Sequence, residues 1–190
     1  MKKLSAAFYQ RKDVVAIAKD LIGKIVVTNI NEKITSGRII ETEAYVALID
    51  KASHAFNGKR TVRNEVMYAA AGTIYVYICY GMHNMLNVVT NDVNVPDAVL
   101  IRALEPLKGI DIMLERAGKK MLDSTITKGP GNVAKALGIS KNISGLMLGK
   151  DVAIYQNTFS YHDYEIGISK RIGIDSAGAD ALALQVLCKR

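Results

Sequence analysis

Glu41 and Glu43 stand two residues apart in the stretch Ile34–Tyr45, whose β-branched content predicts a strand. A strand's period of two sends both carboxylates to the same sheet face. Glu43 follows the apolar pair Ile39 and Ile40 and precedes Ala44, so in a central strand it is partly buried. Burial raises a carboxyl pKa, and a carboxylate tuned in that way works as a general base near neutral pH. The plainer alternative is a solvated edge-strand acid, or an ion-pair partner for Arg102 or Arg38. Charge by itself favours that plainer alternative.

Aromatic residues gather around these carboxylates. Of nine tyrosines, five stand at 45, 68, 75, 77 and 80, while Trp is absent and Phe scarce. Tyr75 and Tyr77 share one strand face, which for either alone reads as ordinary strand packing. Tyr80 opens the turn Tyr80-Gly81-Met82-His83-Asn84, where sheet packing does not easily cover a ring. An exposed aromatic wedge able to enter a base stack competes there with the bland reading. His54, between Ser53 and Ala55, would in isolation be a surface loop histidine, and His83 and His162 lack metal-ligand spacing. No Gly-x-Ser-x-Gly elbow, Gly-x-Gly-x-x-Gly or Walker-type loop occurs, which removes support for a serine hydrolase of that type or a nucleotide-binding loop. Lys128-Gly129-Pro130-Gly131 either presents a helix N-terminus to a phosphate or is an ordinary turn.

The elements that must position these groups follow from periodicity. Asp13 caps a helix over 13–22 with Val14, Ile17, Ala18 and Leu21 on one face, and Gly23 stops it. Strands are expected over 24–30, 34–45, 73–79, 86–90 and 99–104, the third and fourth forming a hairpin. Helices are expected over 110–119 and 130–137, and closing strands over 151–156, 169–174 and 183–187. Residues 46–72 form a long irregular stretch, with some helix within 63–70, and a loop of that length in a compact domain is usually functional. The class is α+β without regular βαβ alternation.

Composition bounds the rest. The 190 residues suit one compact domain with a real core, and the absence of a long apolar run argues against a membrane span. No apolar stretch follows the basic start, so no secretory signal is expected. Net charge is +7, which tilts towards polyanionic partners. The two cysteines, Cys79 and Cys188, are unpaired in motif, fitting a reducing cytoplasm rather than a disulfide framework or structural zinc.

Taken together, several ordered blocks resemble the alkyladenine (3-methyladenine) DNA glycosylase family. They are Glu41-Thr42-Glu43-Ala44-Tyr45, Ala52-Ser53-His54, Arg63-Asn64, Gly72 through Met82, Asn87, Leu100 through Pro106, Lys128-Gly129-Pro130 and Arg171-Ile172-Gly173. The resemblance runs from about residue 15 to 181. It implies a single domain over residues 1–190 with a curved, mainly antiparallel sheet and a protruding β-hairpin. It implies a monofunctional hydrolase that extrudes alkylated or deaminated purines from duplex DNA and cuts the N-glycosidic bond. By position, Glu43 matches the general base and Arg102 the arginine beside the attacking water. Ile172 matches the residue whose carbonyl meets that water. Tyr45 matches the aromatic on one face of the extruded base, and His54 with Tyr77 the pair on the other. The backbone of Ala52 and His54 matches the base-edge readers, and Asn87 the residue that crowds the exocyclic group of guanine. Tyr80, with Met82 beside it, matches the residue that wedges into the gap left in the duplex. The resemblance implies double-stranded DNA with damaged purines as partner and no cofactor; a monomer is the default expectation, and composition gives the expectation of no membrane and a cytoplasmic or nucleoid setting.

The residue types suit that chemistry. Alkylation at N3 or N7 makes the purine a cationic leaving group, so one base suffices where ordinary glycosidases use two carboxylates. Val62, His83 and the tryptophan-free tail after Gly178 depart from the family pattern without removing a catalytic group. Two other readings use the same charge and aromatics: a module that binds damaged DNA without turnover, and an RNA-binding domain. Glu43 inside a matched block separates the enzyme from both.

Overall fold

Strand β2 (Lys33–Tyr45) organises the molecule. Along one edge it pairs with β5 (Asp97–Lys108); along the other it pairs with β1 (Ile25–Ile30) near its start and β8 (Gln185–Lys189) near its end. The path continues outward through β4 (His83–Thr90) to β3 (Ile74–Cys79) on one side. On the other, β1 carries β6 (Val152–Tyr155), and β8 carries β7 (Glu165–Ser169). All these pairings are antiparallel. The computed structural model describes residues 1–157, 165–169 and 185–189.

After the short helix α1 (Ala6–Tyr9), helix α2 (Val14–Leu21) forms as its spacing predicts. The Asp13 carboxylate accepts from the Ala16 N–H at 2.9 Å, and Val14, Ile17, Ala18 and Leu21 are buried. The Thr42 hydroxyl donates to the Ala18 carbonyl at 3.0 Å, fixing α2 against β2. Helices α3 (Ile110–Ala117) and α4 (Pro130–Leu137) contribute Met113, Val133 and Leu137 to the same core as Ile39, Leu86 and Ile101. The Arg116 guanidinium donates to the Ala136 carbonyl at 2.9 Å, placing a cation at the C-terminal end of α4.

This is the expected α+β class with a mainly antiparallel sheet, and several boundaries move. β4 begins at His83 rather than Leu86, and β5 runs from Asp97 to Lys108 rather than 99–104. The irregular stretch contains two short 3₁₀ turns, Phe56–Gly58 and Glu65–Tyr68. Its residues Ala47, Ala55, Met67 and Tyr68 pack with Tyr75, Val89 and Ala98 in a second, smaller core. The stretch is therefore anchored to β3, β4 and β5. Of the strand expected over 169–174, only Ser169 lies in β7, and 170–174 lie outside the described residues. No described helix is long and apolar enough to cross a membrane.

Candidate active site

The pairing of β2 with β5 is irregular where it matters. Ile39 pairs with Leu104, Glu41 with Ala103 and Thr42 with Ile101, so Ile40 and Arg102 are each skipped. Such bulges bend a strand and re-aim a side chain. Here Arg102 falls between the two carboxylates that β2 presents. Its Nε donates to Glu41 Oε1 at 2.9 Å, and its Nη1 lies 3.2 Å from Glu43 Oε1. Arg38 pairs with Glu105.

Glu43 is 1% exposed. Burial opposes its charge, while the guanidinium beside it favours the ionised form. Its second oxygen accepts from the Tyr45 hydroxyl at 2.9 Å. Glu43, Tyr45, Tyr77, Tyr80 and Arg102 line a cleft of about 340 Å³ together with Gly129, Pro130, Gly131 and Asn132. The start of α4 thus forms one wall of the cleft. A Cβ on Gly131 would come within 3.0 Å of the His83 ring, so glycine lets the hairpin seat on α4.

Adjoining this cleft is a smaller cavity of about 20 Å³ lined by Tyr45, Ala52, His54, Tyr75, Tyr77 and Asn87 among others. Tyr45 and Tyr77 belong to both spaces. The His54 and Tyr77 rings meet edge to face at 4.5 Å. Tyr75 is buried, and its hydroxyl lies 2.9 Å from His54 Nδ1. Burial, together with the positive charge of Arg63, lowers the His54 pKa. Burial pushes the Tyr75 hydroxyl up to about 12 and raises that of Tyr77 as well. Asn87 is 2% exposed and donates its amide to the Tyr75 and Met85 carbonyls at 3.2 and 3.0 Å. Both amide protons are committed, so the side chain is pinned with its oxygen remaining.

The hairpin tip is a tight turn. The Met82 N–H donates to the Cys79 carbonyl at 3.2 Å, and Tyr80 and Gly81 take φ of 50° and 71°. Positive φ at both central positions is the type I′ pattern of hairpins. Tyr80 is 81% exposed and Met82 72%. Met82 lines the neighbouring groove together with His83 and Asn84.

The structure thus brings together Glu43, Arg102, Tyr45, Tyr77 and Tyr80, with Ala52, His54 and Asn87 in the adjoining cavity. Ile172 lies outside the described residues. Sequence reasoning assigned no role to Asn64, which is 1% exposed in the middle of the irregular stretch. Its amide donates to the His54 carbonyl at 2.9 Å and the Lys59 carbonyl at 2.7 Å, and its oxygen accepts from the Thr61 N–H at 2.7 Å. It is the strut that holds His54 in place. Its one sequence signal was membership of the Arg63-Asn64 block.

The family model described as Methylpurine-DNA glycosylase (MPG) matches residues 7–188. This chain belongs to the methylpurine-DNA glycosylase family. As a member it is a DNA glycosylase, an enzyme of DNA repair. Curated relatives carry the name "Putative 3-methyladenine DNA glycosylase". One from Clostridium perfringens (strain 13 / Type A) is 42% identical over 184 residues, covering 92% of this chain and 89% of the relative. One from Clostridium novyi (strain NT) is 44% identical over 185 residues, covering 93% and 90%. One from Chlamydia felis (strain Fe/C-56) is 44% identical over 176 residues, covering 92% and 89%. Within this methylpurine-DNA glycosylase, the matched span contains every element that lines the cleft.

Proposed function

We propose that this protein excises alkylated and deaminated purines of the 3-methyladenine, 7-methylguanine and hypoxanthine type from duplex DNA, with Glu43 as the general base. The observation that carries the reading is a carboxylate 1% exposed, held between Arg102 and Tyr45, at a cleft lined by three tyrosines. Water is activated by Glu43, which takes its proton as the oxygen bonds to C1′. The glycosidic electron pair leaves with the purine nitrogen; a cationic alkylated purine departs as the neutral free base, a neutral one such as hypoxanthine also takes a proton from water, and an abasic site remains. Positive charge develops on the sugar during this step, and the Glu43 anion stabilises it. The Ile172 carbonyl is the further group proposed to meet the water.

The extruded base stacks between Tyr45 on one face and His54 with Tyr77 on the other. Stacking is worth roughly 1–3 kcal/mol per base, which offsets much of the cost of unstacking. The backbone supports an edge reader. The Ala52 N–H is spent on Asp50 Oδ1 and the His54 carbonyl on Asn64. Among the described residues, this leaves the Ala52 carbonyl as an acceptor and the His54 N–H as a donor. The pinned Asn87 side chain cannot swing aside for an added exocyclic group. A cavity of about 20 Å³ holds little more than a water, so the base enters as Tyr45 and the irregular stretch after it yield. Tyr80, on the exposed hairpin turn with Met82, fills the vacated place in the duplex. Residues 1–190 act as one glycosylase domain, a monomer of the cytoplasm or nucleoid that requires no cofactor.

The deciding experiment incubates the protein with duplexes bearing one hypoxanthine or carrying methylated purines, then cleaves abasic sites with alkali. Wild type releases free base and yields alkali-labile strands, and Glu43→Gln yields neither while still binding. Equal product from wild type and Glu43→Gln rejects the reading. Lesion-selective binding with no base released points instead to a non-catalytic reader of damaged DNA.

A further inference from the structure

We infer that Glu41 is a positioning residue, which splits the Arg102 guanidinium and keeps it from capping Glu43. The inference rests on the glycosylase reading above. Glu41 Oε1 accepts from Arg102 Nε at 2.9 Å, and Gln185 Nε2 donates to the same oxygen. The Glu41 and Arg102 side chains are only 16% and 14% exposed, so this contact is shielded from water on most sides. Arg102 then offers Nη1 to Glu43 Oε1 at 3.2 Å, longer than its bond to Glu41.

A guanidinium released beside a single buried carboxylate closes on it with two parallel N–H···O bonds. That fork would occupy both oxygens of Glu43, the atoms that must accept the proton of water. Glu41 prevents it by committing the Nε edge elsewhere. The bulges at Ile40 and Arg102 are what allow one guanidinium to lie between two carboxylates of the same strand. Gln185, on β8, holds Glu41 from the other side. Two anions therefore flank one cation, and the base keeps a neighbouring positive charge without being covered by it.

The test uses the full chain with Glu41→Ala and Glu41→Gln, each in the wild-type and the Arg102→Ala background. Single-turnover release of hypoxanthine is measured, together with affinity for a duplex carrying an uncleavable abasic analogue. Glu41→Ala slows release by about 10- to 100-fold, the scale of a misplaced catalytic group, and leaves affinity unchanged. Glu41→Gln, which keeps an acceptor for Nε, falls between and serves if the alanine variant does not fold. In the Arg102→Ala background either change adds nothing, because the group through which Glu41 acts is gone. Losses that add in full overturn the inference, as does a fall in affinity equal to the fall in rate. A readout independent of activity is the Arg102 Nε–H resonance. It is protected from solvent exchange in the wild type and loses protection in Glu41→Ala; unchanged protection overturns the inference. An inactive wild type with the protected resonance would sink the glycosylase chemistry and leave the Glu41 anchor standing.

Discussion

The Tyr45 hydroxyl donates to Glu43 Oε2 at 2.9 Å, so the aromatic wall and the buried carboxylate of the cleft are one hydrogen-bonded unit on β2. The bond favours the ionised carboxylate. Tyr45→Phe keeps the ring and removes the bond. The acid limb of the excision-rate profile then moves to higher pH, because a hydrogen bond that favours the ionised carboxylate is lost. Tyr45→Ala loses stacking as well and weakens binding of the extruded base by roughly 1–3 kcal/mol. Single-turnover rates from pH 5 to 8 separate the two variants. An acid limb that does not move in Tyr45→Phe would show that the hydroxyl leaves Glu43 during the reaction.

His54 gives a second pH signature. Burial and Arg63 lower its folded pKa below the ordinary value of 6.5. Between that value and the lowered one, the unfolded chain binds the proton and the folded chain does not. Stability is therefore intact above pH 6.5 and lost as pH falls through the window below it. The wild-type melting temperature should drop on acidification from pH 7 to 5 more steeply than that of His54→Asn. In Arg63→Ala the imidazole should titrate at higher pH, because one of its two lowering influences is gone, and NMR titration of the ring protons measures this. An unchanged His54 titration in Arg63→Ala would rule out the electrostatic contribution.

Legibility of the site divided along a physical line. Local patterns carried through: the Asp13 cap formed, and the period of two did put Glu41 and Glu43 on one face. The turn chemistry of Tyr80-Gly81 also survived, although the hairpin is tighter than a five-residue connection. What could not be read locally depends on partners distant in sequence. The skipped Arg102 exists only because β5 pairs with β2 out of step, and neither strand alone encodes the offset. The closeness of Tyr45 and Tyr77 around a cavity, and the burial of Tyr75, follow from how 46–72 folds back over β3. A loop looks solvated in sequence, and only tertiary packing gave this one a core.

Asn64 is a case where an isosteric change is harsher than truncation. Its amide nitrogen faces two carbonyls and its oxygen accepts from Thr61. Asn64→Ala leaves those groups without partners, and the loss of about 1–3 kcal/mol per buried unsatisfied group predicts a marked fall in melting temperature. Asn64→Asp keeps the acceptor but turns an oxygen towards the His54 and Lys59 carbonyls, adding repulsion and a buried charge. The aspartate variant should melt lower than the alanine variant at pH 7, with faster amide exchange over residues 52–61. The reverse order would mean that water replaces the lost donor.

Tyr80 sets stability against function. Its φ of 50° is left-handed, a conformation that costs a residue with a side chain roughly 1–2 kcal/mol and costs glycine nothing. Its ring is 81% exposed, so the fold gains little from the side chain in return. Strain of this kind held at an exposed tip points to use by a partner. Tyr80→Gly relieves the strain, and its added freedom in the unfolded chain offsets part of the gain. The melting temperature should hold or rise, while excision from fully paired duplex falls because nothing occupies the gap that the extruded nucleotide leaves. A lesion in single-stranded DNA needs no such plug, so its excision should fall less. Melting curves together with paired and single-stranded excision rates measure all three effects. Equal losses on both substrates would show that Tyr80 acts on the bound base and not on the duplex.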